Sequence, residues 1–151
     1  MSINALLNQR WNYRHRAMNW RQAVLMASQP LVGENKVDAY YPLHVIDNLK
    51  NDCDNYMIED GVMVIYAKPE QGVTSKQGEA SVLRCRKPVI MPNGREVTLI
   101  VMISAGEQEH TNTIRSQIHG WLVENNCCEK LIQAASPEML NRRVQKALNI
   151  H

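Results

Sequence analysis

The sequence predicts a single α/β domain in which a mixed β-sheet is flanked by helices. The length of 151 residues indicates one domain with its own core. Hydrophobic residues at 44% and charged residues at 21% are typical of a globular chain. Helical patterns lie at both ends of the chain and strand patterns lie between them. Because helices and strands do not alternate, a sheet built only from βα units is not expected.

Residues 1–18 are predicted to form an N-terminal arm in front of a domain at residues 19–151. Basic residues alternate with Trp11 and Tyr13 in this arm. Such a mixture is typical of proteins that bind single-stranded nucleic acid. The rest of the chain adds no matching basic surface, and the net charge is only +2. We therefore expect an arm or helix that lays its aromatic side chains on the domain, and no nucleic-acid partner.

Two helices are predicted before the strands. Asn19 is a candidate N-cap for the first helix, while Pro30 and Gly33 leave the position of its end open. The second helix is expected from Asp38 to about Asn51. Apolar residues at helical spacing are expected to face inward, namely Ala23, Val24, Ala27 and Leu31 in the first helix and Tyr41, Val45, Ile46 and Leu49 in the second.

The middle of the chain is predicted to form the sheet. Asp60-Gly61 and Pro92-Asn93-Gly94 are turn signals, and Pro and Gly within residues 68–72 predict a loop. Strands are expected at residues 56–59, 62–66, 80–85 and 97–104.

The C-terminal third is predicted to be helical. One helix is expected from near His110 to about Glu124, and a short one over residues 127–135. The last helix opens at Ser136-Pro137, an N-cap followed by proline at the first helical position. The apolar positions of the first of these helices are Ile114, Ile118, Trp121 and Leu122.

Several classes of protein and site are not expected. No apolar run reaches the roughly 18 residues of a membrane helix, and no basic leader precedes a cleavage site. We expect a cytoplasmic protein without direct membrane insertion. The four cysteines form no C-x-x-C pair, which favours reduced thiols over a disulfide framework or a zinc site. His15, His44 and His151 are isolated in the sequence, and no metal or cofactor is expected.

A loop motif carries the most specific signal. Residues 61–72 read Gly-Val-Met-Val-Ile-Tyr-Ala-Lys-Pro-Glu-Gln-Gly. This motif resembles a signature of the type-2 enzyme IIA domains of the phosphoenolpyruvate-dependent sugar phosphotransferase system, the mannitol, fructose and ascorbate class. The ascorbate type is most similar, and its pattern reads roughly Gly-Ile-Ala-Met-Pro-His-Ala-Arg-Pro-Glu-Gln-Gly. The similarity covers about residues 19–136, including the helix opening at residues 19–31, Tyr56 with Ile58, and a strand at residues 99–105 followed by His110.

The resemblance implies the mannitol-type enzyme IIA fold and a role in phosphoryl transfer. Members of the family take a phosphoryl group from the carrier protein HPr onto a histidine and pass it to a IIB protein or domain. A second histidine helps to hold the group. HPr and a IIB partner are therefore the implied partners, and His110 is implied as the second histidine.

The chain departs from the family pattern at the phospho-acceptor. Tyr66 stands in place of the acceptor histidine, and Lys68 stands in place of an arginine. Histidine has a pKa of about 6.5, so a neutral nitrogen is available to attack, and the N–P bond keeps a high transfer potential. Tyrosine has a pKa of about 10, so only about one molecule in a thousand is ionised at pH 7. Its phosphate ester is also too stable to pass the group on.

The roles of the remaining residues stay open. Tyr66 alone also fits a half-buried aromatic residue with a satisfied hydroxyl. His110 fits, in this order, a hydrogen-bonded cap residue that keeps its inherited geometry, an anion-binding residue at a helix N-terminus, or a substitute acceptor. Lys68 is a solvated loop lysine, or beside His110 it holds a phosphate or carboxylate.

Three functions follow from these alternatives. The first is a degenerate enzyme IIA domain that does not relay phosphate through the usual histidine. It would act as a binding or regulatory module in the phosphotransfer system for ascorbate or a related carbohydrate. The second is an active phosphocarrier that uses His110. The third is a sensor of small anions built on Lys68 and His110.

Overall fold

A computed structural model of the chain describes residues 2–149. Residues 1, 150 and 151 lie outside this range. The last two residues of the predicted domain, including His151, are therefore not described. Within it, one mixed sheet contains the strands β1 Trp11–Arg14, β2 Met57–Glu59, β3 Val62–Ile65, β4 Glu79–Ile90 and β5 Glu96–Ser104. The strand order is β1-β4-β5-β3-β2. The pairs β1–β4 and β3–β5 are parallel, and the pairs β4–β5 and β2–β3 are antiparallel.

Helices cover both faces of the sheet. Their bounds are α1 Ile3–Leu7, α2 Trp20–Gly33, α3 Tyr41–Asp52, α4 Gln108–His119, α5 Cys128–Ile132 and α6 Pro137–Asn149. Successive side chains of a strand point to opposite faces. Val62 and Val64 accordingly pack with α1, α4, α5 and α6, whereas Met63 and Ile65 pack with α2 and α3. The predicted class, a mixed sheet flanked by helices, is confirmed.

The two helices before the sheet form largely as predicted. The Asn19 side-chain oxygen accepts a hydrogen bond from the Gln22 backbone N–H at 2.9 Å, which caps α2. The predicted inward-facing residues of both helices are buried. The predicted start of the second helix is wrong by three residues. The Asp38 carboxylate accepts from the backbone N–H groups of Tyr40 and Tyr41, and α3 begins only at Tyr41.

The N-terminal segment takes part in the sheet. Within it β1 pairs with β4, with Trp11 opposite Val82. The sequence does not predict this strand, because its residues are half-buried or exposed and show no alternation between the two faces. Trp11 and Tyr13 lie against the core. Arg10 is 4% exposed and forms an ion pair with Glu79, so a buried charge fixes the segment to β4.

The C-terminal helices differ from the prediction at two points. The short helix expected over residues 127–135 is confined to Cys128–Ile132. A single helix to Glu124 was expected, but α4 ends at His119 and a π-helical turn follows over Gly120–Glu124. The last helix opens as expected, because the Ser136 hydroxyl accepts from the Met139 N–H at 3.1 Å.

The four cysteines are buried free thiols. None of the helices within residues 2–149 combines the length and the apolar character needed to cross a membrane.

Candidate functional site

The carboxyl ends of β3 and β5 meet at one edge of the sheet. The two strands are parallel, with Ile65 opposite Met102. Tyr66 directly follows β3, Lys68 lies two residues further along, and His110 follows β5 in the first turn of α4. Ligand sites of α/β sheets commonly lie outside the carboxyl ends of parallel strands. The three residues singled out in the sequence therefore share one edge, which we call the β3–β5 edge.

Tyr41 joins the two strand ends. Its hydroxyl donates to the Ile103 carbonyl at 2.8 Å and accepts from the Ala67 N–H at 3.0 Å. The side chain is fully buried, and burial raises the pKa of Tyr41 well above its ordinary value. The hydroxyl therefore stays protonated at neutral pH and fixes the start of the motif loop, residues 67–72, against β5.

Tyr66 is packed as an aromatic residue. It is half-buried, and its ring meets the Tyr56 ring edge-on, with centroids 5.1 Å apart and planes at 65°. Its carbonyl accepts a hydrogen bond from the Asn48 side-chain amide at 3.3 Å. No residue within 2–149 donates to or accepts from its hydroxyl. The backbone of Tyr66 is thus held by α3, while its phenol end is left to solvent or a ligand.

The motif loop is closed by Gln71. The side-chain oxygen Oε1 of Gln71 accepts a hydrogen bond from the Lys68 backbone N–H at 3.0 Å. The Gln71 amide nitrogen lies 3.4 Å from His44 Nδ1. Because an amide nitrogen only donates, His44 Nδ1 is the acceptor and its proton lies on Nε2. The sequence treats His44 as isolated, but the structure places it beside the loop.

Lys68 and His110 remain available at the edge. Lys68 is exposed and forms no ion pair with any residue from 2 to 149. The half-buried imidazole of His110 lies against Gly78, where an added Cβ would be 3.1 Å from Cε1 and from Nε2. Glu107, and not His110, is the N-cap of α4. No hydrogen bond or ring contact in the described range joins His110 to Tyr66 or Lys68.

Arg115 is a further charged residue near the edge. Its Nη2 donates to the Asn55 carbonyl at 3.0 Å. Its Nε is buried and has no hydrogen-bond partner within residues 2–149. Burial raises the pKa of Tyr56, and the Arg115 charge opposes that rise. His44, Asn48 and Arg115 carry no sequence signal, because each occupies an ordinary position on an amphipathic helix.

Comparison with known proteins identifies the family. Residues 6–147 match the family model described as "Phosphoenolpyruvate-dependent sugar phosphotransferase system, EIIA 2". The chain is 33% identical over 105 residues to SgcA of Escherichia coli (strain K12), a protein named as a phosphotransferase IIA component. The match covers 68% of this chain and 72% of that protein.

Solved structures show the same fold. The solution structure of the mannitol-specific cryptic phosphotransferase enzyme IIA CmtB from Escherichia coli has a TM-score of 0.84 at 21% identity, covering 97% of this chain and 99% of that one. Enzyme IIAMtl, solved in complex with phosphorylated enzyme IIBMtl from Escherichia coli, has a TM-score of 0.69 at 18% identity and covers 90% of this chain and 91% of that one. The predicted mannitol-type fold is confirmed. The chain belongs to the EIIA 2 family of the phosphoenolpyruvate-dependent sugar phosphotransferase system.

Proposed function

We propose that this chain is an enzyme IIA domain that has lost phosphoryl relay at Tyr66 and acts as a binding or regulatory module of a sugar phosphotransferase system. One observation carries the proposal. Tyr66 lies at the end of β3, packed edge-on against Tyr56, at the position that the motif resemblance gives to the acceptor histidine. A phosphate ester formed there would not pass its phosphoryl group to a partner. The resemblance to the ascorbate type makes ascorbate or a related carbohydrate the proposed sugar.

The other histidine beside the motif loop supports the loop. The Nδ1 atom of His44 accepts a hydrogen bond from Gln71, and its Nε2 carries the proton. An incoming phosphoryl group would have to displace the Gln71 amide to reach Nδ1. His44 holds Gln71, which in turn holds the backbone of Lys68.

Docking to family partners fits the charge of the edge. The fold resembles that of an enzyme IIA solved with its phosphorylated IIB partner. Lys68 offers an exposed cation at the β3–β5 edge, and no described residue forms an ion pair with it. A phosphorylated IIB protein or phosphorylated HPr carries negative charge to this edge, and Lys68 would attract it. We therefore propose HPr and a IIB-type protein as partners that bind without turnover.

A second candidate function rests on His110. This residue lies at the same edge, in the first turn of α4 where helix N–H groups favour an anion. No residue within 2–149 hydrogen-bonds to its ring. An active phosphocarrier would use this imidazole in place of the missing acceptor. His110→Gln, which keeps a polar side chain but removes the nucleophile, separates this candidate from the first.

A gain-of-function assay tests the proposal. The protein is incubated with phosphoenolpyruvate, enzyme I and HPr, and acid-labile phosphate is read by intact mass. We expect Tyr66→His to acquire phosphate that Tyr66 itself does not support. Tyr40→His is the matched control, because Tyr40 is 68% exposed and does not follow a strand of the sheet. A Tyr66→His protein that folds but stays unmodified, while another enzyme IIA is phosphorylated, would contradict the assigned position.

Docking is tested separately by NMR titration of the isotope-labelled protein with HPr. We expect amide shifts concentrated in residues 67–72 and around His110. The absence of saturable shifts would contradict docking, and shifts confined to another surface would contradict the proposed edge.

A further inference from the structure

A second concave site lies on the opposite face of the sheet from α2 and α3. It is a pocket of about 270 Å³ between the chain that follows the π-helical turn, α5 and α6. Its apolar lining comes from Cys127 and Ala147, each 3% exposed. None of its lining residues belongs to the β3–β5 edge. We call it the α5–α6 pocket.

Three cations line the α5–α6 pocket. Lys130 comes from α5, and Arg143 and Lys146 come from α6. Within residues 2–149, none of the three forms an ion pair and no carboxylate lines the pocket. Like charges brought together repel each other, so an anion in the pocket relieves the repulsion.

The arginine is held by neutral groups. Its Nη1 donates to the Lys130 carbonyl at 2.7 Å and lies 3.5 Å from the Gln133 side-chain oxygen. These contacts orient the guanidinium without neutralising it, and they leave Nε and Nη2 of Arg143 for another acceptor. A guanidinium with two adjacent donors matches the oxygens of a phosphoryl group.

We propose that the α5–α6 pocket binds a phosphorylated sugar or polyol. The three cations match a dianionic phosphoryl group, since each adds a charge-assisted hydrogen bond. The side-chain amides of Asn125 and Gln133 line the same pocket and hydrogen-bond to hydroxyl groups of the ligand. The volume lies below the roughly 300–1,000 Å³ of drug-sized sites, which selects a compact ligand. This binding does not depend on whether Tyr66 or His110 accepts phosphate.

Calorimetric titration with glucose 6-phosphate tests the proposal, with glucose and inorganic phosphate as reference ligands at matched ionic strength. We expect saturable binding of glucose 6-phosphate that is tighter than that of either reference. In the double variant Lys130→Gln and Lys146→Gln, affinity is expected to fall by about tenfold or more, because two charge-assisted contacts are lost. Both lysines are exposed, so the variant keeps its packing.

The matched control is the double variant Arg142→Gln and Lys87→Gln. It removes the same charge from exposed residues that do not line the pocket, one of them on α6. We expect its affinity to stay close to that of the unmodified protein. An equal loss of affinity in both double variants would mean that net charge alone attracts the ligand. This result would overturn the assignment of the α5–α6 pocket as the binding site.

Three other results would overturn the proposal. The first is no saturable binding of glucose 6-phosphate. The second is equal affinity for inorganic phosphate, which would remove the sugar from the assignment. The third is loss of binding in Lys68→Gln while the pocket variant binds glucose 6-phosphate as tightly as the unmodified protein. This result would place the anion at the β3–β5 edge.

Discussion

Replacement of Tyr41 by phenylalanine removes one oxygen atom from the junction of β3 and β5. The hydroxyl makes two short hydrogen bonds there, to the Ile103 carbonyl at 2.8 Å and from the Ala67 N–H at 3.0 Å. The residue is fully buried, so water does not replace the lost partner. Phenylalanine fills the same space, and no cavity beyond that of the hydroxyl is expected.

The magnitude follows from the two groups left unpaired. Each buried unsatisfied backbone group costs about 1–3 kcal/mol, so we expect Tyr41→Phe to lower the free energy of unfolding by about 3 kcal/mol. For a domain of this size 1 kcal/mol shifts Tm by about 2–4 °C, which predicts a fall of roughly 6–12 °C. The Ala67 N–H begins the motif loop, so its backbone amide is also expected to exchange hydrogen faster.

Urea unfolding followed by tryptophan fluorescence measures the free energy. Tyr40→Phe is the matched control, because the neighbouring Tyr40 is 68% exposed and its change is expected to stay within about 0.5 kcal/mol. An unchanged urea slope indicates that stability, and not the unfolded state, has changed. If Tyr41→Phe were as stable as Tyr40→Phe, the hydroxyl would not hold the two strands together and the reasoning would be refuted.

Buried charges and thiols give two further predictions. Glu79 is 5% exposed and pairs with Arg10 and Lys36. Glu79→Ala leaves the half-exposed Glu34 as the remaining carboxylate beside Arg10, and we expect it to cost about 3 kcal/mol in urea unfolding, against little change for the exposed Glu96→Ala. Burial raises the pKa of all four cysteine thiols, to about 12 for Cys128. Since each folded pKa lies above its unfolded value of about 8.5, stability is fully present below that pH and falls as the pH rises above it. We therefore expect the free energy of unfolding to decrease above about pH 8.5. We also expect Ellman's reagent to label the thiols only after unfolding, and rapid labelling of the native protein would contradict their burial.

The helices were predictable because their signals are local. Asn19 caps α2 by bonding three residues ahead, and Ser136 does the same for α6. The apolar spacing of α2 and α3 also lies within each segment. These patterns need no knowledge of the rest of the fold, which is why the predicted core residues are buried as expected.

The edge strand β1 was not predictable for the opposite reason. It forms by pairing with β4, about seventy residues along the chain. Its anchor is Arg10, a charged residue that enters the core because Glu79 and Glu34 pair with it there. A single charged side chain ordinarily indicates solvent, so the sequence favours an arm at this point.

The candidate site was predictable only in its contiguous part. Tyr66 and Lys68 lie in one motif, and His110 follows a recognisable strand. The contacts of His44 with Gln71 and of Asn48 with Tyr66 exist because α3 packs beside the end of β3. Residues brought together by packing leave no spacing in the sequence.

The most direct test of the lost relay is the intact mass of the unmodified protein after incubation with phosphoenolpyruvate, enzyme I and HPr. Tyr66 at the acceptor position predicts no acid-labile phosphate on this chain while a relay-competent enzyme IIA in the same reaction is phosphorylated. Acid-labile phosphate on any histidine of this chain would contradict the loss of relay. Its disappearance in His110→Gln would then assign the acceptor to His110.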